Sequence, residues 1–141
     1  MVETKILLIE DNPDDEALTL RTFERNGIKN EIAVVRDGEE AMEYLLGKGI
    51  YAQDPPLTVP HIILLDLQLP KKDGMSVLRE IKANESTHEL PVIILTSSEE
   101  EQDKINSYFF DANIFLRKPV HYNQFVDIFE KLGLIHLLQF G

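Results

Sequence analysis

Ile62-Ile63-Leu64-Leu65-Asp66 is a run of four aliphatic residues that ends in a carboxylate. A continuous apolar run of this length reads as a strand buried on both faces, which is the situation of a parallel sheet covered by helices. Three further runs lead to functional groups. Ile6 to Ile9 leads into Glu10-Asp11, Val92 to Leu95 into Thr96, and Ile114 to Leu116 runs just ahead of Lys118-Pro119. In an open parallel sheet the carboxyl ends of neighbouring strands line a common crevice, so these groups are expected to meet despite their separation in sequence.

Between the runs the period changes from continuous to helical. Pro13 and Asp14 look like a helix start, Ala17, Leu20 and Phe23 recur at helical spacing, and Gly27 is a plausible stop. A second strand, Ile32 to Val35, leads through Asp37-Gly38 into a helix carrying Ala41 and Leu45. Beyond Asp66, a loop through Pro70 and Gly74 precedes a helix with Val77, Leu78 and Ile81 turned inward. Strand Val92 to Thr96 is followed by a helix from about Glu99 to Phe109. Strand Ile114 to Leu116 is followed by a last helix with Phe125, Ile128, Phe129 and Leu132. The pattern is five β-α units. It predicts an α/β, doubly wound, five-stranded parallel sheet with helices on both faces, and right-handed crossovers leave few topologies for it.

A chain of 141 residues with 43% hydrophobic content suits one compact domain with one core. The expectation is a single domain over residues 1–141, with its core at about 4–132 and an apolar extension at 133–141. The balance of 25 acidic against 14 basic residues, a net charge of -11, disfavours a phosphate-backbone interaction, so no nucleic-acid partner is expected. There is no cysteine, and His61, His88, His121 and His136 lack zinc-motif spacing. The N-terminus does not resemble a signal peptide and no apolar run approaches the ~18 residues of a bilayer span. The reading is a cytoplasmic protein without a membrane partner.

Clustered carboxylates repel one another, and at neutral pH such a cluster persists chiefly by binding a hard cation or by raising a pKa. Magnesium is the natural candidate, since it prefers oxygen ligands and commonly takes one or two carboxylates together with phosphoryl oxygens. A carboxylate beside that metal can act as a nucleophile towards phosphorus, with a lysine and a hydroxyl balancing charge on the transferred group. Asp11 alone would more simply be the cap of the following helix.

The segments Ile9-Glu10-Asp11-Asn12-Pro13, Leu64-Leu65-Asp66-Leu67-Gln68-Leu69-Pro70-Lys71-Lys72-Asp73-Gly74, Leu95-Thr96-Ser97-Ser98 and Phe115-Leu116-Arg117-Lys118-Pro119 together resemble the receiver domain of response regulators over about residues 4 to 132. Within that family the Asp-Asn-Pro-x-Asp start and the long Gly47 to Pro60 loop are most similar to stand-alone regulators that partner cyanobacterial phytochromes and similar sensor kinases. The resemblance implies the flavodoxin-like strand order 2-1-3-4-5. It also implies that Asp66 accepts phosphate from a kinase or phosphotransfer-protein phosphohistidine. Asp11, Asp66 and the Gln68 backbone carbonyl would hold Mg2+, with Glu10 binding through water. Thr96 would hydrogen-bond the phosphoryl group, Lys118 would pair with it, Phe115 occupies the switch-aromatic position, and Lys118-Pro119 corresponds to the family's cis peptide. The output would be binding by a partner, or homodimer formation, through the face made by the Glu99 helix, the fifth strand and the last helix.

Several features stand apart from that pattern. Glu10-Asp11 replaces the commoner Asp-Asp. Asp111 stands where the family often has Gly, and Gln68 and Ser98 lie where, by the resemblance, the family tunes the hydrolytic water. Gly47 to Pro60 shows no helical period and reads as a long surface loop. The apolar tail, Leu134 to Phe140, either folds back or forms an oligomer interface. His61 and His121 read as surface residues. The competing functions are a phosphohydrolase with an aspartate nucleophile, a phosphorylation-independent docking module, and a nucleotide-binding flavodoxin-like protein. The first is weakened by Gln68, where a second Asp would stand, and the last by the lack of a glycine-rich phosphate loop.

Overall fold

The computed structural model describes residues 5–52, 60–97, 99, 100, 103 and 114–140. Strands β1 (Lys5–Ile9), β2 (Glu31–Val35), β3 (Ile62–Asp66), β4 (Val92–Thr96) and β5 (Ile114–Arg117) form one parallel sheet in the order β2-β1-β3-β4-β5. Helices α1 (Pro13–Arg25), α2 (Gly38–Leu46) and α3 (Gly74–Ala83) and the C-terminal helix Tyr122–Lys131 pack on its faces. Every residue of β1 and β3 is buried, as their unbroken apolar runs require.

Alternation along each strand sorts the core into two layers. Leu7, Ile9, Ile63, Leu65 and Ile94 face one way, onto Ala41 and Leu45 of α2 and Val77, Leu78 and Ile81 of α3. Ile6, Leu8, Ile62, Leu64, Ile93 and Leu95 face the other way, onto Phe23 of α1 and Phe125 and Phe129 of the C-terminal helix. The three rings stack in a row, with centroids 4.6 Å apart for Phe23 and Phe125 and 4.4 Å for Phe125 and Phe129.

The inner face of α1 differs from expectation. Ala17 is exposed, and the buried pair is Thr19 and Phe23 with Leu20 at the boundary. An alanine methyl gains little from burial, so the large Phe23 ring sets the rotation of the helix. The β3–α3 loop also ends sooner than expected, because Gly74 is already the first helical residue. Asp73 caps it, its carboxylate accepting from Ser76 N at 2.8 Å.

The Gly47 to Pro60 segment is not wholly irregular. Gly47 closes α2 with φ 64° and a 3-10 turn, Gly49–Tyr51, follows. Tyr51 anchors that turn, its ring edge-on to Tyr44 and its hydroxyl donating to Glu40 Oε1 at 2.6 Å. Residues 53–59 lie outside the described residues, as do Ser98, Asp111 and most of the Glu99 to Phe109 helix, of which Glu99, Glu100 and Asp103 are helical.

The tail folds back. Leu138 is buried, and Leu134 and Leu137 pack on the Phe23 layer, while Ile135 and Phe140 remain exposed. A bridge joins Phe140 to Ile28, and Asn30 clasps the chain twice, donating to Leu137 O at 2.8 Å and accepting from Gln139 N at 2.8 Å. Asn30→Ala should therefore cost about 1–3 kcal/mol, the penalty for two broken hydrogen bonds at a buried residue. Urea denaturation checks the stability, and limited proteolysis should cut the released tail faster than in the native chain.

Candidate functional site

Three strand ends converge at one end of the sheet. Glu10 follows β1, and its N–H donates to Val35 O of β2 at 3.0 Å, which keeps it in line with the sheet and fully buried. Asp66 is the last residue of β3 and Thr96 the last of β4, and both are buried. The Thr96 carbonyl accepts from Lys118 N at 2.9 Å, tying the segment after β5 to the same end of the sheet, and the Lys118-Pro119 peptide is cis.

Asp11 does not cap α1. Asn12 does, its side-chain oxygen accepting from Asp14 N at 2.9 Å and Asp15 N at 3.1 Å, with Pro13 at the first helical position. Asp11 is thereby left exposed at the crevice. Glu10, Asp11 and Asp66 each present a carboxylate oxygen within 4.8 Å of the others, a spacing that one small cation can bridge. The cleft above them is lined by Asp11, Asn12, Pro13, Asp15, Asp66, Gln68 and Lys118.

Lys118 is the hub. Its ammonium donates to Asp66 Oδ2 at 2.8 Å, Asp15 Oδ2 at 2.9 Å and Glu10 Oε1 at 3.0 Å. The other Asp66 oxygen accepts from Gln68 N at 3.0 Å. Partial burial pulls the Lys118 pKa down, but bonds to Asp66, Asp15 and Glu10 outweigh it and hold the group above the ordinary lysine range. Burial, followed by the neighbouring Asp66 carboxyl, pushes Glu10 up to about 8 against the pull of Lys118.

This shift has a definite sign. A glutamate whose pKa rises on folding keeps its proton in the native state while the unfolded chain releases it, so the native state loses ground as pH rises between 4.5 and about 8. Metal-free protein should thus lose stability across that window. Glu10→Gln should flatten this part of the profile, leaving the variant more stable than the native chain at pH 9. Thermal melts in chelator at a series of pH values check it, and parallel profiles would contradict it.

Phe115 lies half-buried on β5, against the α2 and α3 layer. His121 is exposed at the start of the C-terminal helix. His61, expected on the surface, is half-buried, and its Nδ1 accepts from Lys5 N at 3.3 Å because both residues flank the paired starts of β1 and β3. In the sequence, Asp15 stands out only as part of the Asp-Asn-Pro-x-Asp start. Its spacing of one helical turn from Asp11 was the available indication that it faces the same cleft. In the sequence, Gly38 stands at the start of the second helix and Gly74 in the loop before the third. In the structure they flank the loop that carries Gln68 to Asp73, with Gly38 N donating to Pro70 O at 3.5 Å and Gly74 N to Leu67 O at 3.0 Å.

Comparison with known proteins places this geometry in a family. The response regulator receiver domain model matches residues 6–130. Response regulator Rcp1 of Synechocystis sp. is 43% identical over 113 residues, covering 80% of this chain and 75% of that one. A Mn(2+)-bound crystal structure of response regulator Rcp1 aligns with a TM-score of 0.72 and 36% identity over 95% and 94% of the two chains. The bacteriophytochrome response regulator AtBRR aligns with a TM-score of 0.88 and 45% identity over 95% of both chains. For the phosphorylated cyanobacterial phytochrome response regulator RcpA the TM-score is 0.74 and the identity 38%, over 93% of this chain and 91% of that one. With its strand order, its acidic crevice and these relatives, the chain belongs to the response regulator receiver domain family.

Proposed function

We propose that Asp66 is the phosphoacceptor of this receiver and that the chain serves a histidine kinase of the phytochrome type. The observation that carries the reading is the Asp66 carboxylate at the C-terminal end of β3, in the cleft and within 2.8 Å of the Lys118 ammonium. An Asp66 oxygen forms the new O–P bond as the bond from phosphorus to the donor nitrogen breaks, and the leaving imidazole takes that electron pair. Lys118 balances charge on the phosphoryl group, and Thr96, buried at the adjacent strand end, supplies the hydroxyl for a phosphoryl oxygen.

Glu10, Asp11, Asp66 and the Gln68 carbonyl would hold a divalent cation, magnesium being the one whose ligand chemistry fits. When bound, it neutralises phosphoryl charge in the transfer step. A phosphoryl group adds charge and acceptor oxygens to a packed strand end, and Thr96 and Phe115 on neighbouring β4 and β5 would readjust. The output is a changed binding face around β5 and the C-terminal helix, read by a partner protein or by a second copy.

The test is phosphorylation by acetyl phosphate with magnesium, followed by intact mass and peptide mapping. One added phosphoryl group on Asp66, absent in chelator, is the expected result. A chain that stays unmodified, with no effect of magnesium on its melting, would return the docking-module reading to first place.

A further inference from the structure

The Lys118 ammonium has three N–H donors, and three carboxylates face them: Asp66 at 2.8 Å, Asp15 at 2.9 Å and Glu10 at 3.0 Å. A phosphoryl oxygen can therefore be held by Lys118 only if one of these partners gives way. Glu10 cannot swing out, since its side chain is fully buried and its backbone is tied to β2 at the end of β1. Asp66 is the acceptor and stays beside the group it receives. Asp15 is different, because its side chain is 34% exposed, stands on the first turn of α1 and borders the cleft on both sides of Lys118.

We propose that Asp15 is a positioning residue. It holds the Lys118 ammonium at the cleft while the acceptor is free and yields that ammonium to the incoming phosphoryl group, so its charge sets how strongly the site discriminates among phosphodonors by their own charge. This rests on Asp66 being the acceptor. After it yields, the Asp15 carboxylate still stands at the cleft mouth and repels an anionic donor. The more negative the donor, the greater the opposition.

Asp15→Asn isolates that charge. An asparagine keeps the shape, and its side-chain oxygen can still accept from Lys118. The helix start is held by Asn12, which the substitution leaves in place. The experiment measures second-order rates of Asp66 phosphorylation at fixed magnesium. Its donors are acetyl phosphate, a dianion at neutral pH, and phosphoramidate, which carries less charge, each at low and high salt. Asp15→Asn should react faster with acetyl phosphate by on the order of threefold to tenfold at low salt. The gain should be smaller with phosphoramidate and should shrink as salt screens the cleft mouth. Asp15→Glu should restore the slower, donor-selective rate. Rates equal to or below those of the native chain would overturn the proposal, as would a gain that ignores donor charge and salt. If the native chain itself is not phosphorylated at Asp66, it is the acceptor assignment that falls, so the two failures are distinct.

Discussion

Asp66→Asn is expected to abolish phosphorylation while leaving the metal-free fold at least as stable as the native one. An amide oxygen is a poor nucleophile towards phosphorus, and the two carboxylates nearest in the acidic cluster are badly placed to stand in for the lost one. Glu10 is buried and bonded to Lys118, and Asp11 lies outside the strand end. Stability should hold because the substitution removes a buried negative charge beside Glu10, while Lys118 keeps Glu10 and Asp15 as partners. The same substitution removes a carboxylate from the proposed cation site. A cation that binds only the folded state stabilises it by mass action, so magnesium should raise the melting temperature of the native chain clearly and that of the variant little. Phosphate-affinity gels and melts with and without magnesium test both halves. A shifted band that survives in Asp66→Asn would place the acceptor elsewhere.

The second large effect is expected at Gly74, where an added methyl group meets backbone on three sides. A Cβ there would lie 2.4 Å from Leu67 Cα, 2.6 Å from Asp66 O and 2.8 Å from Leu67 O. None of these atoms is the end of a flexible side chain, so the acceptor loop itself must shift. Gly38 presses on the same loop from α2, with a Cβ there falling 2.0 Å from Lys72 O. Between them Lys71 adopts φ 63° and its ammonium pairs with Asp37 at 3.6 Å. Gly74→Ala should lose about 3 kcal/mol in urea denaturation, at the upper end of overpacking costs, and should also slow phosphorylation because the loop carries the Asp66 carbonyl and Gln68. Gly47→Ala serves as the contrast. Its φ of 64° is unfavourable to a side chain, yet nothing lies within 4 Å, so about 1 kcal/mol and no change in phosphorylation are expected. Equal effects at the two glycines would refute the pinched-loop account.

The β-strands were the most legible part of the molecule. Four unbroken apolar runs ending in Glu10-Asp11, Asp66, Thr96 and, just beyond, Lys118 announced a parallel sheet and put the functional groups at one end of it, because strand direction and burial are local consequences of composition. Helix phase was less legible, as Ala17 shows, since rotation about a helix axis is decided by whichever side chain gains most from the core. The dispersed cap and site roles of Asp11, Asn12 and Asp15 were harder still. Any of these short polar side chains can bond the backbone of the first turn, and only the path of the chain out of β1 decides which one does.

By itself, the sequence determined the fold class and the family and singled out Asp66 among the strand-end carboxylates, because each apolar run and the motif that follows it is written in contiguous residues. Only the tertiary structure decided that Lys118 spends all three donors on carboxylates, that Asp15 is one of them, that Asn30 latches the tail and that two glycines pin the acceptor loop. Those facts rest on distances between residues remote in sequence, Lys118 and Asp15 being 103 positions apart, and such distances are set by the packing of the sheet and its helices as a whole.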